Sequence, residues 1–585
     1  MPTNAPTRWR LRRSDPTLVA ELARRAGVSR IAATVLANRG CTSSEEIKRL
    51  LAPSLHHLHD PLLLPDMPAA VARVLAAVRG GETILVHGDY DVDGVTGTTI
   101  LVKVLEHMGA KVRWHIPDRH KDGYAFGPHS LEKARETGAT LVVSVDSGTS
   151  AHDWIEKLGA MGVDVVVTDH HEAKPGPLPR CVAVVNAKRA DSSYPFRELC
   201  GGGVAFKLAW ALAQAVADGG KVDEAWRALL VECIGYAAIA TVCDVVPMRD
   251  ENRLIAHFGL KEIQAGRTPG MRALVDACNL PQGRLSSTTI GYQIGPRINA
   301  AGRLANARIA VELFLAKGID EARRLAAQVD ALNTARKEKE RAISEEAVAM
   351  AARWHDARHH PVLVLASEAW DPGVVGIVAG RIVARTGRPS VVLGIKDGIA
   401  KGSARTIAGL SLMDILSAAD GLYDAWGGHH QAAGCTIKAE RLDELRERLV
   451  GRARELLGGE APPPRVHEAD CELPLAVYGE LLLGELERFE PWGQDFHGPV
   501  FATRDLRLAE PPTIMGKDRK HFSMRLRSGD AVFKAKAFGL AERMGELAPG
   551  VPIHALWRPD RNTFRGTTTI EMTIEDFAVG ADPLG

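Results

Sequence analysis

The first half of the chain alternates short, continuously apolar runs with longer amphipathic ones. An amphipathic helix is predicted from Val71, and it leads into the buried strand Thr83-Ile-Leu-Val-His87. Residues 96–108 read as a helix and residues 110–116 as a second strand. Further strands are predicted at Leu141-Val-Val-Ser-Val145 and over residues 163–168. Continuous apolar strands separated by helices predict a parallel sheet covered on both faces.

The pattern then changes. Cys200-Gly-Gly-Gly203 opens an Ala-rich helix, and residues 251–350 are mostly helical, with 320–352 readable as one long charged helix. A second α/β pattern starts at Pro361-Val-Leu-Val-Leu-Ala366 and ends before the linker Gly458-Gly-Glu-Ala-Pro-Pro-Pro464. Beyond it, alternating strands at 500–504, 521–527, 532–538 and 567–574 predict a small β-barrel, an OB-fold being the expected kind. The expected division is an N-terminal extension (1–65), a first α/β domain (66–250), a helical connector (251–352), a second α/β domain (353–457) and the barrel (465–580).

Composition changes this picture little. The chain has 585 residues, 45% of them hydrophobic and 25% charged, so several cores can form. The formal net charge of +1 neither demands nor forbids a nucleic-acid partner. The eight cysteines include no C-x-x-C pair, which predicts free thiols in a reducing compartment. The basic start Met1-Pro-Thr-Asn-Ala-Pro-Thr-Arg-Trp-Arg is not followed by an apolar leader segment. No apolar run approaches the ~18 residues of a membrane span. The expectation is a cytoplasmic protein with no membrane partner.

The chemistry collects where predicted strands end. The first runs into His87-Gly-Asp89-Tyr-Asp91-Val-Asp93-Gly, another into Asp146-Ser-Gly148, and another into Asp169-His170-His171. Ligands of open parallel sheets bind at the carboxyl ends of the strands, so these clusters are expected on one edge. Read as an extended segment, Asp89, Asp91 and Asp93 would point to one side and repel one another unless cations neutralise them. Carboxylates with imidazole and without thiolate suit Mn²⁺ or Mg²⁺, and so many carboxylates suggest two ions. Asp244 is a further candidate ligand.

In this order, Asp-Tyr-Asp-Val-Asp-Gly, Val-Asp-Ser-Gly and Thr-Asp-His-His resemble the DHH phosphoesterases. The resemblance extends to Gly295-Pro-Arg-Ile-Asn-Ala-Ala-Gly-Arg-Leu304, Trp370-Asp-Pro-Gly-Val-Val-Gly376, Gly402-Ser-Ala-Arg405 and Gly427-Gly-His-His-Gln-Ala-Ala-Gly434. It implies a two-lobed α/β core: a parallel-sheet DHH domain and a smaller α/β DHH-associated domain joined by a long helix. The C-terminal barrel completes it. Within the family, the likeness is greatest to single-strand-specific bacterial exonucleases that release 5′-mononucleotides in the 5′→3′ direction during DNA repair and recombination. It implies two Mn²⁺ or Mg²⁺ ions held by Asp89, Asp91, Asp93, Asp146, His170 and Asp244, with catalytic roles for Asp91, Asp146 and His171. Gly427, Gly428 and His429, with Ser403, Arg405 and Arg119, are then expected to hold a 5′ phosphate. Arg297, Asn299 and Arg303 are expected on the DNA path.

In the barrel, Lys517, Arg519, Lys520, His521, Phe522 and Arg525 are the candidate contacts, Lys520 and His521 foremost. Single-stranded DNA is the expected partner of a monomer, with a single-strand-binding protein and a DNA helicase as candidate protein partners. The competing readings are a phosphodiesterase for short oligonucleotides or cyclic dinucleotides and an inactive DNA-binding scaffold.

Overall fold

In the computed structural model, residues 7–584 are described, apart from 120, 124, 174–175, 218–219, 281–284 and 565. The first six residues of the expected N-terminal extension lie outside that set. The chain forms two compact units. One comprises residues 11–332 with 469–585, and the other residues 333–468 with the N-terminal residues to Arg10.

The first unit is built on five parallel strands: β1 (Thr83–His87), β2 (Lys111–His115), β3 (Leu141–Val145), β4 (Asp164–Thr168) and β5 (Ala183–Val185), in the order β2-β1-β3-β4-β5. Successive side chains of a strand point to opposite faces. Accordingly Ile84, Val86, Val143 and Val145 enter one core, while Leu85, Val142, Val165 and Val167 enter another. Both faces are thus buried, which explains the unbroken apolar runs.

Helices α1 (Met67–Arg79), α2 (Val92–His107), α3 (Pro128–Thr137), α4 (Gly201–Val216) and α5 (Glu224–Cys243) position the rest. Helix α2 starts four residues earlier than its apolar pattern predicts, because Asp91 caps it. The expectation that no stretch is long and apolar enough to cross a membrane is corrected by α5, which is both. The few charges of α5 lie in its first half, which the hydrophobic pattern discounts. Its Tyr236, Ala237 and Ile239 are buried, and it packs against α2, α4 and the helix Asp250–Ala265 as a core helix.

The segment expected as a connector ends in one continuous helix, Ile319–Ala351, of 33 residues. The second unit holds a mixed sheet of β6 (Leu363–Ser367), β7 (Ser390–Lys396), β8 (Ile399–Arg405), β9 (Tyr423–Gly428) and β10 (Ala432–Lys438), in the order β9-β10-β8-β7-β6. Only β6 and β7 are parallel.

The C-terminal segment belongs to the first unit. Its strands β11 (Phe501–Met515), β12 (His521–Ser528), β13 (Ala531–Ala537), β14 (Ile553–Phe564) and β15 (Thr567–Val579) close into a barrel when β11 pairs with β14. Strand β14 escapes the sequence pattern because Pro559 and three charged residues, Arg558, Asp560 and Arg561, break its alternation. Phe501, Phe522, Trp557 and Phe577 fill the barrel, and the Trp557 Nε1–H donates to Thr503 Oγ1 at 2.9 Å.

Candidate metal centre

The β1–α2 junction sets the first ligands. Gly88 leaves no room for a side chain, since a Cβ there would lie 2.0 Å from Thr98 Oγ1. Asp89 follows, buried. Asp91 accepts from the Gly94 N–H at 3.1 Å as the cap of α2. Asp93 sits in the first turn of that helix. The expectation that all three aspartates lie along one extended segment is therefore corrected: the helix begins between them, because a capping carboxylate satisfies its free N–H groups. The chain still bends them toward one region.

Asp93 accepts from the Gly201 and Gly202 N–H groups at 2.7 and 2.5 Å, at the start of α4. Helix N-termini favour anions in this way. The glycines are required there, since a Cβ on Gly201 would lie 2.6 Å from Asp146 Cβ, and one on Gly202 2.7 Å from Ala240 Cβ. Asp146 follows β3 with φ of 59°, a left-handed conformation uncommon outside glycine. Asp244 caps the carboxyl end of α5, where the helix dipole disfavours a negative charge.

These side chains converge. His170 Nε2 lies 3.1 Å from Asp146 Oδ1 and 3.6 Å from both Asp93 Oδ2 and Asp244 Oδ2. One carboxylate oxygen each of Asp89, Asp91 and Asp146 also lies within 4.8 Å of the others. Asp146 thus falls in two groups, one with His170 and His171 and the other with Asp89 and Asp91, while His170 also meets Asp93 and Asp244. Among the described residues, none of these five aspartates is ion-paired with a lysine or arginine.

The electrostatics express the same crowding. Burial, then the neighbouring carboxylates, push Asp89 and Asp146 well above the usual carboxylate range, Asp93 to about 7 and Asp244 to about 8. Burial and the adjacent His171 push His170 down to about 3, leaving a neutral imidazole. Asp89 Oδ1, Asp146 Oδ1 and both ring nitrogens of His170 are buried without a hydrogen-bond partner. Such atoms are costly unless something binds them. An oxygen-rich set with one imidazole fits hard divalent cations such as Mn²⁺ and Mg²⁺.

His171 differs from its neighbour. Its side chain is 47% exposed, and its Nδ1–H donates to Asp169 Oδ1 at 2.8 Å. Burial opposes its protonation, but the bond to Asp169 and that residue's charge outweigh it and raise His171 to about 9. Asp169 also accepts from the backbone N–H groups of Thr149, His170 and His171, which with His171 hold it well below the usual range. Asp169 and the Gly201–Gly202 pair are functional elements missing from the sequence-based site set. The signal for Asp169 was its place directly before the two histidines, and for the glycines their run after Cys200.

The remaining candidates are distributed. The Arg119 guanidinium stacks over the Tyr90 ring at 5.0 Å, beside Asp89 and Asp91. Arg303 lies on the helix Gly295–Leu304, where a Cβ on Gly302 would come 2.4 Å from the Tyr90 carbonyl, so this helix packs tightly on the metal-binding loop. Asn299 is half-buried on the same helix. Arg297 spends its three nitrogens on Asp330 at 2.8 Å, the Gln293 carbonyl at 2.8 Å and the Ala277 carbonyl at 3.3 Å. That geometry ties Arg297 into the packing of its helix through three of its five N–H donors.

Within the second unit, Ser403, Gly434 and Gly427 stand opposite one another across β8, β10 and β9. Arg405 is two residues from Ser403, and a Cβ on Gly376 would lie 3.0 Å from Ser403 Oγ and 3.7 Å from Arg405 Nη2. Burial and the Arg405 charge lower His429. Gly428 has φ of 153°, and a Cβ there would lie 2.4 Å from the Ala432 carbonyl.

In the barrel, Lys517, Arg519 and Lys520 are exposed in the turn between β11 and β12. Arg525 is exposed as well, 3.5 Å from Glu510 Oε2. Phe522 is fully buried, so its expected place among the DNA contacts is corrected: it alternates inward from β12. The exposed ring is Phe538, which meets His521 edge-on at 5.4 Å.

Three family descriptions match the chain: the N-terminal domain of the DHH family at 83–239, the DHHA1 domain at 359–455 and the RecJ OB domain at 469–576. The single-stranded-DNA-specific exonuclease RecJ of Dickeya dadantii is 36% identical over 92% of this chain and 94% of its own. The crystal structure of RecJ from Thermus thermophilus in complex with Mn²⁺ superposes with a TM-score of 0.82 at 28% identity, covering 99% of this chain and 81% of that one. The Mg²⁺ complex gives 0.75 at 28% identity, over 98% and 78%.

Proposed function

The chain belongs to the RecJ family of single-stranded-DNA-specific exonucleases, and on that premise we propose how its residues divide the work and which way it moves along a strand. It is a metal-dependent nuclease of single-stranded DNA, and the observation that carries this reading is the buried Asp146, which belongs to two ligand groups and keeps its Oδ1 without a hydrogen-bond partner.

Asp93, Asp146, His170 and Asp244 would hold one divalent cation, and Asp89, Asp91 and Asp146 a second. When bound, a pair of divalent cations lowers the pKa of water and neutralises charge on a phosphodiester. The other steps fall to the side chains. His171, protonated through Asp169, is exposed and able to donate to a phosphate oxygen as charge develops there. Arg119, seated on Tyr90, offers a forked donor to a phosphate near the same loop. Asp169 is a positioning residue: it fixes the tautomer and charge of His171 without facing the substrate.

The 5′→3′ polarity and release of 5′-mononucleotides belong to the same proposal. Its support is the group of Ser403, Arg405, Gly427, Gly428 and His429 on neighbouring strand ends, where one guanidinium and paired glycines suit a terminal phosphate. The barrel turn with Lys520 and the His521–Phe538 pair would hold the strand by charge and stacking. A strand must first be freed from its duplex, so a helicase or a single-strand-binding protein in the cytoplasm is the expected source of substrate. Co-sedimentation with each tests that, and light scattering tests the monomer.

Digestion of strands and duplexes labelled at either end, in Mn²⁺, Mg²⁺ and chelator, tests the main reading. Single strands are expected to shorten from the 5′ end only when a metal is present. Release from the 3′ end, or digestion in chelator, contradicts it.

A further inference from the structure

A second cluster of ligating side chains lies at the same sheet, outside the nuclease centre. His87 ends β1, His115 ends β2 and His129 lies in the first turn of α3. Their ring centroids form a triangle with sides of 5.3, 5.3 and 5.6 Å. One ring nitrogen from each lies within 4.8 Å of the others.

Two of the three rings have their other nitrogen engaged. His87 Nε2 bonds Ser130 Oγ at 2.9 Å, and His129 Nε2 bonds the Ala125 carbonyl at 3.1 Å. A bond to a carbonyl requires Nε2–H, so His129 Nδ1 carries a lone pair. His87 Nδ1, His129 Nδ1 and His115 Nε2 are all buried without a hydrogen-bond partner. His87 is fully buried and His129 is 7% exposed. The His87 ring is fixed by stacking on Phe126 at 4.6 Å, and the bare backbone of Gly127 makes room for His129, since a Cβ there would lie 2.8 Å from His129 Nδ1.

We propose that His87, His115 and His129 form a transition-metal site for Zn²⁺ or a similar imidazole-preferring ion, distinct from the nuclease pair. A mere packing role would bury three nitrogens unsatisfied, each at a cost, whereas one ion satisfies all three. Three imidazoles without a carboxylate favour zinc, copper, nickel or cobalt over Mn²⁺ and Mg²⁺. Metal-binding histidines characteristically donate their other ring N–H to a nearby acceptor, and His129 does so here. Burial also pushes His115 down to about 4 and lowers His129, which keeps both rings neutral as ligands must be. Ligand nitrogens about 3.3 Å apart suit a tetrahedral zinc with bonds of ~2.0–2.1 Å, so the triangle would contract on binding. The ion would clamp the ends of β1 and β2 to α3, immediately before the loop that carries Asp89, Asp91 and Asp93.

Zinc content after loading and exhaustive dialysis tests this, measured on the full chain, on the Asp91→Ala/Asp146→Ala double variant and on His115→Ala. The double variant is expected to retain one equivalent, with an X-ray absorption spectrum of imidazole ligation. His115→Ala is expected to hold one equivalent fewer than the parent. A double variant that holds no zinc overturns the proposal, as does a His115→Ala protein with the parental content. If His115→Ala fails to fold, the double variant alone decides, because its histidines are untouched.

Discussion

The edge of the parallel sheet and the face of the barrel both concentrate charge, but they do so under opposite conditions. At the sheet edge, Asp89, Asp93 and Asp146 are buried and crowded, and among the described residues no lysine or arginine is ion-paired with them. On the barrel, Lys517, Arg519 and Lys520 are exposed in one turn, with the exposed Asp518 among them. The first arrangement is unfavourable until cations arrive, so its geometry is specified tightly by backbone N–H groups, a left-handed aspartate and close-packed glycines. The second costs little and needs no such specification. Buried charge identifies a chemical centre with a small set of permitted residues. Exposed charge identifies a surface that many sequences could supply.

That contrast can be broken or sharpened by experiment. Asp146→Ala removes the carboxylate common to both ligand groups, and cleavage of single strands is expected to fall on the order of a thousandfold or more. Binding of a labelled strand should persist, and calorimetric titration with Mn²⁺ should lose its tight phase. Asp169→Asn is expected to lower the rate about 10- to 100-fold, as for other residues that orient a functional group from behind. It should also move the alkaline limb of the pH–rate profile downward. His171 is charged below its raised value of about 9, and without Asp169 that charge is lost at lower pH. A purely structural role would reduce the rate without moving the limb.

Metal removal supplies a pH test. Asp93 and Asp244 titrate at about 7 and about 8 in the folded chain, above their unfolded values. The metal-free fold therefore loses stability as pH rises from those unfolded values toward about 7 and about 8, the penalty levelling off above them and absent only below the unfolded values. The gain in Tm on adding Mn²⁺ should grow between pH 5 and pH 8 and then level off, amounting to a few degrees if the ion is present near 100 times its Kd. A gain that shrinks with pH would contradict the crowding argument. The smallest effects belong to the barrel. Phe538→Ala is expected to weaken strand binding about tenfold through lost stacking. Lys520→Ala should weaken it only a few-fold and flatten the salt dependence by about 0.7 per lost phosphate contact. Cleavage at saturating DNA should be unaffected in both.

The same contrast explains what could be read from sequence. The strands carrying the nuclease centre are continuous apolar runs ending in acids or histidines, so both the sheet and its chemical edge are legible. The path between those residues is less so. The period-two argument for Asp89, Asp91 and Asp93 reaches the right region through the wrong backbone, because a helix cap at Asp91 competes with an extended segment and wins. Asp169 and the Gly201–Gly202 pair act through their neighbours, and a residue list cannot show which neighbours those are. Phe522 and Phe538 both follow a β pattern, and only the closure of the barrel decides which faces in. Strand β14 is recognisable only from its partners, β11 and β15.

The glycines at the start of α4 act as a gauge for the space around the carboxylates. Gly201 leaves less than a methyl's width beside Asp146, and Gly202 sets α4 against both α5 and Asp93. The spacing of the acids is therefore ruled by two residues that offer no donor atoms beyond their amides. Loss of activity on substitution at this helix start would report altered dimensions, with every ligand still in place.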